Sequence, residues 1–399
     1  MTLDTEARPS RAEQRARAAV AVLFFTNGAL FANLLPRYPQ IKADLGISNS
    51  TYGLAVAAFP AGAIVAGLAA GVLVRRFGSA GVAVAGTLLT GVGILAAGLA
   101  GSVGLFAAAL FLAGAMDALT DVAQNAHGLR VQRRYGRSII NAFHAIWSIG
   151  AVTGGLMAAG AITLGLSRGQ HLTLSAGVLS LAAVAAWRFC LPGPDSEPEE
   201  ADAARERSAG GTGGFPRTGY MLAALVVIAT AGTLVEDAGS SWAALYLSDT
   251  LKSSAALAAC GFIALVGAQF IGRIIGDRLV DRFGQRTVAR AGGLIAAGGM
   301  GLALAVPTPA GTILGFAAAG FGVATLVPAA MHEADELPGL KPGSGLTIVS
   351  WLMRLGFLVS PPVVGYVADT TSLRVGLLVV PLAGLSVVLL ARVLRPRRS

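Results

Sequence analysis

Residues 115–155 read AMDALTDVAQNAHGLRVQRRYGRSIINAFHAIWSIGAVTGG, two apolar stretches meeting across a short basic loop. Each carries ionisable or amide side chains where an ordinary bilayer-spanning helix has none. Asp117, Asp121 and Asn125 recur at i, i+4 and i+8 with Gln124 beside them, so a helix aligns them as one polar stripe. Asn141, His144 and Ser148 repeat the pattern on the following stretch. A charge inside hydrocarbon is costly and faces a cavity or a partner, so these residues predict a polar pathway between packed helices.

Composition says what kind of chain holds that pathway. The 399 residues are 54% hydrophobic and only 13% charged, with a mean hydropathy of +0.69, which excludes an ordinary soluble domain. Glycine, at 53 residues, suits the close approach of helices in a membrane. The net charge of +9 invites a nucleic-acid reading. The basic residues, however, fall in short segments between apolar runs, so the partner they imply is the lipid bilayer and not nucleic acid. Cys190 and Cys260 lie in different halves of the chain and give neither a disulfide framework nor metal-ligand spacing. The histidines at 127, 144, 171 and 332 are scattered, which leaves no catalytic cluster and no metal site. No phosphate-binding loop of the form GxxxxGK[ST] appears, so this chain is not expected to use ATP or to be an enzyme.

Runs of about 20 apolar residues suffice to cross a bilayer as helices, and roughly twelve such runs lie between residues 18 and 393. The expected organisation is an all-α integral membrane protein: a tail at 1–17, a six-helix bundle at 18–190, a linker at 191–218, a second six-helix bundle at 219–393 and a tail at 394–399. The linker stretch, rich in Pro, Gly and acidic residues, has too little apolar surface to pack. Threaded through this topology, Arg75, Arg76, Arg130, Arg133, Arg134, Arg278, Arg282, Arg286 and Arg290 share one side with both termini. Only Arg37, Lys42, Arg168, Lys252 and Arg374 lie opposite. Both termini are therefore expected in the cytoplasm, as in a multi-pass protein of a bacterial inner membrane.

The two halves match when the sequence is shifted by 206 residues. Leu45 falls on Leu251, Ser48 on Ser254, and Arg76-Phe77-Gly78 on Arg282-Phe283-Gly284, without a gap. A basic triplet after apolar runs of equal length predicts a duplicated six-helix unit. Twelve spans in two halves, a long central linker and a glycine-containing basic turn after the second and eighth spans resemble the major facilitator superfamily. In that family the turn latches the cytoplasmic gate. The resemblance carries this role to Arg76 and Gly78 in the first copy, where Arg75 replaces the family's Asp, and to Asp281, Arg282 and Gly284 in the second, where Asp277 replaces the family's opening Gly. Within the superfamily, DVAQNAHG at 121–128, FHAIWSIGAVTGG at 143–155 and VEDAGSSWAALYL at 235–247 look like the fucose permease branch. There a carboxylate four residues before an Asn in the fourth span exchanges the coupling proton, and Asp121 with Asn125 occupies that spacing.

Asp121 and His144 both sit roughly 9 Å inside the bilayer by helical rise, on adjacent antiparallel spans, and are the expected proton-coupling pair. Asp117, one turn deeper, is expected at the solute with Gln124, Asn125, Asn141 and, from the first span, Asn27. Glu236 and Asp237 fall roughly 26 Å from the start of the seventh span, near its outer mouth. Gly239, Ser240 and Ser241 after them would permit a break, and Trp242 could stack on a solute. Arg354, near the middle of the eleventh span, must meet an acid or an anionic group. Arg273 with Asp277 makes an i, i+4 pair assigned to the gate turn. The function expected is alternating-access transport of a small polar solute, sugar-like or an organic acid, driven by the proton as coupling ion, with no other cofactor. The chain is expected to act as a monomer without an obligatory protein partner. A proton-antiport exporter of drugs or natural products is the alternative, and a membrane enzyme or sensor a remote one.

Overall fold

The structure is a computed structural model and describes residues 10–136, 139–193, 215–337, 339–340 and 344–394. Most of the expected linker and parts of both expected tails lie outside those residues. Among the described residues, twelve helices are long and apolar enough to cross a membrane. We number them α1 (Arg11–Leu45), α2 (Asn49–Phe77), α3 (Ser79–Gly98), α4 (Val103–Tyr135), α5 (Ile140–Thr163), α6 (Arg168–Trp187), α7 (Thr218–Thr250), α8 (Ala255–Phe283), α9 (Gln285–Ala305), α10 (Pro309–Asp335), α11 (Ser344–Thr370) and α12 (Leu373–Val393). The first helix starts at Arg11, inside the stretch expected as tail, because Ser10 and Glu13 form a reciprocal capping box there. Large apolar side chains such as Leu68, Leu181, Leu302 and Leu389 stand exposed around the outside, the surface a helix bundle offers to lipid.

The first six helices pack on one another, as do the last six, and the two groups meet where α2 lies along α11 and α5 along α8. The internal repeat is written into the backbone. Ser48 caps α2 by accepting from the Thr51 N–H, and Ser254 caps α8 by accepting from the Leu257 N–H. Gly78 and Gly284 close α2 and α8 with φ of 79° and 81°, each donating its N–H to the carbonyl four residues back, Val74 and Val280. Only glycine adopts such angles freely. Arg76 lies over the Phe77 ring at 5.4 Å and Arg282 over Phe283 at 5.3 Å. The RFG triplets thus make one turn twice.

A further pair departs from this identity. Gly46 precedes α2 with φ of 62°, and its counterpart at a shift of 206 is Lys252, with φ of 54°. A side chain in the left-handed region costs roughly 1–2 kcal/mol, so the second half carries strain that the first avoids. Lys252→Gly is expected to raise the thermal unfolding midpoint of the purified protein and Gly46→Lys to lower it, each through about 1 kcal/mol of local strain, as followed by the loss of helical circular dichroism on heating.

Candidate functional site

On the side opposite the RFG turns the halves are sealed. Tyr38, Tyr52, Phe106 and Trp242 are fully buried there. Tyr52 stacks edge-on with Tyr38 at 5.7 Å and with Trp242 at 5.1 Å, and its hydroxyl donates to the Ser241 carbonyl at 2.7 Å. Lys42 reaches Asp249 at 3.7 Å across the same seam. A Cβ added at Gly53 would collide with the Pro361 carbonyl and one at Gly365 with the Asn49 carbonyl, so α2 and α11 touch backbone to backbone.

The firmest contact in this seal comes from Asp369, at the end of α11. Its carboxylate accepts from the Asn49 backbone N–H at 3.0 Å and side-chain amide at 2.9 Å. It also accepts from the Ser50 N–H at 2.7 Å and hydroxyl at 2.5 Å. An anion on the first N–H groups of a helix meets unpaired donors and the positive end of the dipole, so the end of α11 in one half caps α2 in the other. Sequence reasoning missed Asp369 because nothing in its neighbourhood forms a motif; only the docking of the halves gives it partners.

On the side of the RFG turns, ionisable side chains of both halves stand exposed and within electrostatic reach of one another, Asp121 of Arg354 and His144 of Arg273, across a cleft between the halves. On the first half, α4 carries Asp117, Asp121 and Asn125 as one stripe, as the spacing predicts. The Asn125 amide donates to the Asp121 carboxylate at 3.0 Å and to its carbonyl at 2.9 Å, and the Gln124 amide approaches the same carboxylate at 3.5 Å. His144 and Asn141 of α5 are exposed toward the cleft. His144 sits edge-on to Phe24 at 5.2 Å and faces Asp121 electrostatically without a hydrogen bond to it. Deeper in, Asn27 of α1 joins three helices: its amide donates to Asp117 at 2.6 Å and its carbonyl accepts from the Trp147 indole at 2.7 Å.

The other wall is basic. Arg354 of α11 is exposed, acts on Asp121 across the cleft and, among the described residues, makes no hydrogen bond or ion pair. Arg273 of α8 binds Glu236 of α7 at 3.2 Å, and Gln269, one turn away, donates to the same oxygen.

Several expected placements are corrected. Arg273 is not at the gate turn and does not pair with Asp277. It lies ten residues before Phe283, roughly 15 Å along α8 from that end, because α8 continues well past the apolar run. Glu236 sits at the same depth and not at the outer mouth, since α7 extends to Thr250 through two π-helical turns, Ala238–Trp242 and Tyr246–Thr250. The expected break at Gly239–Ser241 is the first of these wider turns. Successive helical residues point about 100° apart, so Glu236 enters the cleft while Asp237, 5% exposed, turns into the seal and accepts from the Ser241 hydroxyl at 2.8 Å. Trp242 is fully buried against Tyr52 and offers no face to a solute, Gln124 is fully buried behind Asp121, and Asn27 reaches the cleft only through Asp117. Ser148 is buried and bonded to the His144 carbonyl, off the stripe. Asp281, Arg282, Arg76 and Asp277 are exposed at the open side, without ion pairs among the described residues. Trp147 and Gln269, which sequence reasoning passed over, carried a usable signal in their spacing: each is one turn from an ionisable residue, His144 and Arg273, on the same helix face.

A cleft between two six-helix halves, lined by opposed ionisable walls and closed at one end, is the architecture of an alternating-access carrier. The chain matches the Major Facilitator Superfamily family model over residues 20–338 and 268–399. It belongs to that superfamily of transporters. The uncharacterized transporter y4wD of Sinorhizobium fredii is 28% identical over 381 residues, covering 94% of this chain and 97% of that protein. A D-xylose–proton symporter superposes with a TM-score of 0.70 at 16% identity, covering 95% of this chain and 96% of that one. A bacterial homologue of the lysosomal transporter Spinster, solved inward-facing and unoccupied, superposes with a TM-score of 0.73 at 13% identity, covering 96% and 98%. These two likenesses establish the fold.

Removing the cap on α2 is expected to loosen the seal. In Asp369→Ala, spin labels at Gly101 and Thr371, on the sealed side of the two halves, should move apart relative to the parent, as read by electron–electron distance measurement.

Proposed function

We propose that this chain is a proton-coupled secondary transporter of a small polar solute, with the α4 carboxylates Asp117 and Asp121 as its coupling centre. The observation that carries the reading is the pairing of unlike walls. Two carboxylates stand one turn apart on α4, and Arg354 faces Asp121 from the opposite half, making no hydrogen bond or ion pair among the described residues. Charges at this depth in a membrane protein mark ion and substrate pathways. A solute with hydroxyl or carboxylate groups would bridge Asp117, Asn125, Asn141 and His144 on one wall to Arg354 and Arg273 on the other. Rocking of the halves about the α2–α11 and α5–α8 seams would then expose it to either side.

The concentration of Lys and Arg on the side of the RFG turns supports a cytoplasmic assignment for that side and for both termini, in a bacterial inner membrane. The open cleft is then inward-facing. In the reverse state the RFG turns and the exposed Asp281 and Arg282 would be drawn together as the inner latch. The chain works in this reading as a monomer, with no cofactor besides the proton.

The test is reconstitution in liposomes enclosing a pH dye, with pools of sugars, organic acids and organic cations added outside. Proton movement is expected with the sugar or acid pool. The double variant Asp117→Asn/Asp121→Asn should lose proton-driven accumulation while retaining solute exchange. Undiminished uphill uptake by that variant would remove the carboxylates from the coupling step, and a response confined to cations would favour an exporter.

A further inference from the structure

The two carboxylates of the α4 stripe are held in different ways. Asp121 is exposed to the cleft, with amide donors from Asn125 and Gln124 and with the His144 ring and the Arg354 guanidinium facing it. Its negative charge is answered on several sides. Asp117 is half-buried and, among the described residues, receives a single donor, the Asn27 amide.

That amide cannot turn round. Trp147 Nε1 carries a hydrogen and has no lone pair to offer, so the Asn27 atom it meets at 2.7 Å must be the oxygen. The Asn27 NH2 group therefore points at Asp117 Oδ1, at 2.6 Å, as a donor in every protonation state of the carboxyl. A proton on Oδ1 would oppose the incoming N–H. The oxygen turned away from Asn27, Oδ2, is the one left to form an O–H bond.

The surroundings are consistent with this division. Of the helices packed on α4, α2 has charged side chains only at Arg75 and Arg76, at its end, and α3 has none. Asn27 comes from α1 and Trp147 from α5, while His144, almost one turn from Trp147, faces Asp121. The charge acting on Asp117 is that of Asp121, one turn along its own helix, and it is of like sign. The opposite half contributes Arg354, which acts on Asp121.

We propose that Asp117 Oδ2 carries the coupled proton, that Asp121 remains the fixed anion answering Arg354, and that Trp147 is a positioning residue that aims Asp117 through Asn27. This rests on the transport reading above and deepens it. As a carboxylate, Oδ2 accepts a hydrogen bond; once protonated, it donates one. A solute hydroxyl answers both states because it can accept and donate, so a polyhydroxylated solute stays bound as the proton arrives or leaves.

The experiment needs no known solute. Infrared difference spectra of the purified protein in lipid nanodiscs, recorded on pH titration, report the C=O stretch of a protonated carboxyl. The titrating band is expected in the parent and in Asp121→Asn, and lost in Asp117→Asn. In Trp147→Phe, which removes the N–H while keeping an aromatic ring, Asn27 is free to turn. The midpoint of the band should then rise by roughly half a unit to one unit, the worth of one hydrogen bond to the charged form. Asn27→Ser tests the same link should Trp147→Phe fail to fold. Loss of the band in Asp121→Asn, its persistence in Asp117→Asn, or its absence from the parent would overturn the assignment. An unmoved midpoint in the folded Trp147 or Asn27 variant would remove the positioning role. If the liposome assay finds no solute that moves protons while the band behaves as expected, the transport reading fails and the assignment of the proton stands.

Discussion

An ionised side chain inside hydrocarbon has to find an opposite charge, a hydrogen-bonding partner or water, and the architecture of this protein follows from meeting that demand. Asp117, Asp121 and Asn125 cannot face lipid, so α4 turns its stripe toward the cleft. Arg273 and Arg354 on the other half are under the same constraint with the opposite sign. The halves are therefore tied to each other by charge as well as by packing, and a change in the protonation of one wall changes what the other wall meets.

The sealed side satisfies polar groups in another way. Asp369 places its carboxylate on the unpaired N–H groups at the start of α2, Tyr52 donates to a carbonyl of α7, and the aromatic cluster of Tyr38, Tyr52 and Trp242 excludes water around them. All of these contacts except the Tyr38–Tyr52 ring pair, which lies within the first half, cross between the halves. They stabilise one arrangement without fusing the halves, since each is a hydrogen bond or a ring contact that separation would return to water. The backbone contacts at Gly53 and Gly365 set how closely α2 and α11 can approach.

The duplicated unit explains why two sites that look unrelated share geometry. The turns ending at Gly78 and Gly284 have the same backbone angles and the same arginine over phenylalanine, and Ser48 and Ser254 cap equivalent helices. The chemistry, by contrast, is not duplicated. The acids of α4 have no basic-wall equivalent in their own half, and Glu236, Gln269 and Arg273 form a network of the second half only. Duplication supplied a scaffold, and divergence placed unlike charges on its two walls.

Residue order alone determined the twelve apolar helices, the repeat at 206 residues, the side that collects arginine, and the helical face that unites Asp117, Asp121 and Asn125. Each of these depends on local periodicity or on hydropathy summed over a span, which a linear reading captures. Depth and partners were another matter. Arg273 read as a gate residue and Glu236 as an outer-mouth residue because apolar runs mark where hydrocarbon begins but not how far a helix continues beyond it or where a π turn resets its phase. Trp147, Gln269 and Asp369 acquired meaning only once helices distant in sequence were docked, since the groups they bond lie 120, 33 and about 320 residues away. Only the tertiary structure could decide which of two neighbouring carboxylates meets the Asn27 amide and which meets His144 and Arg354, because those groups reside in other helices.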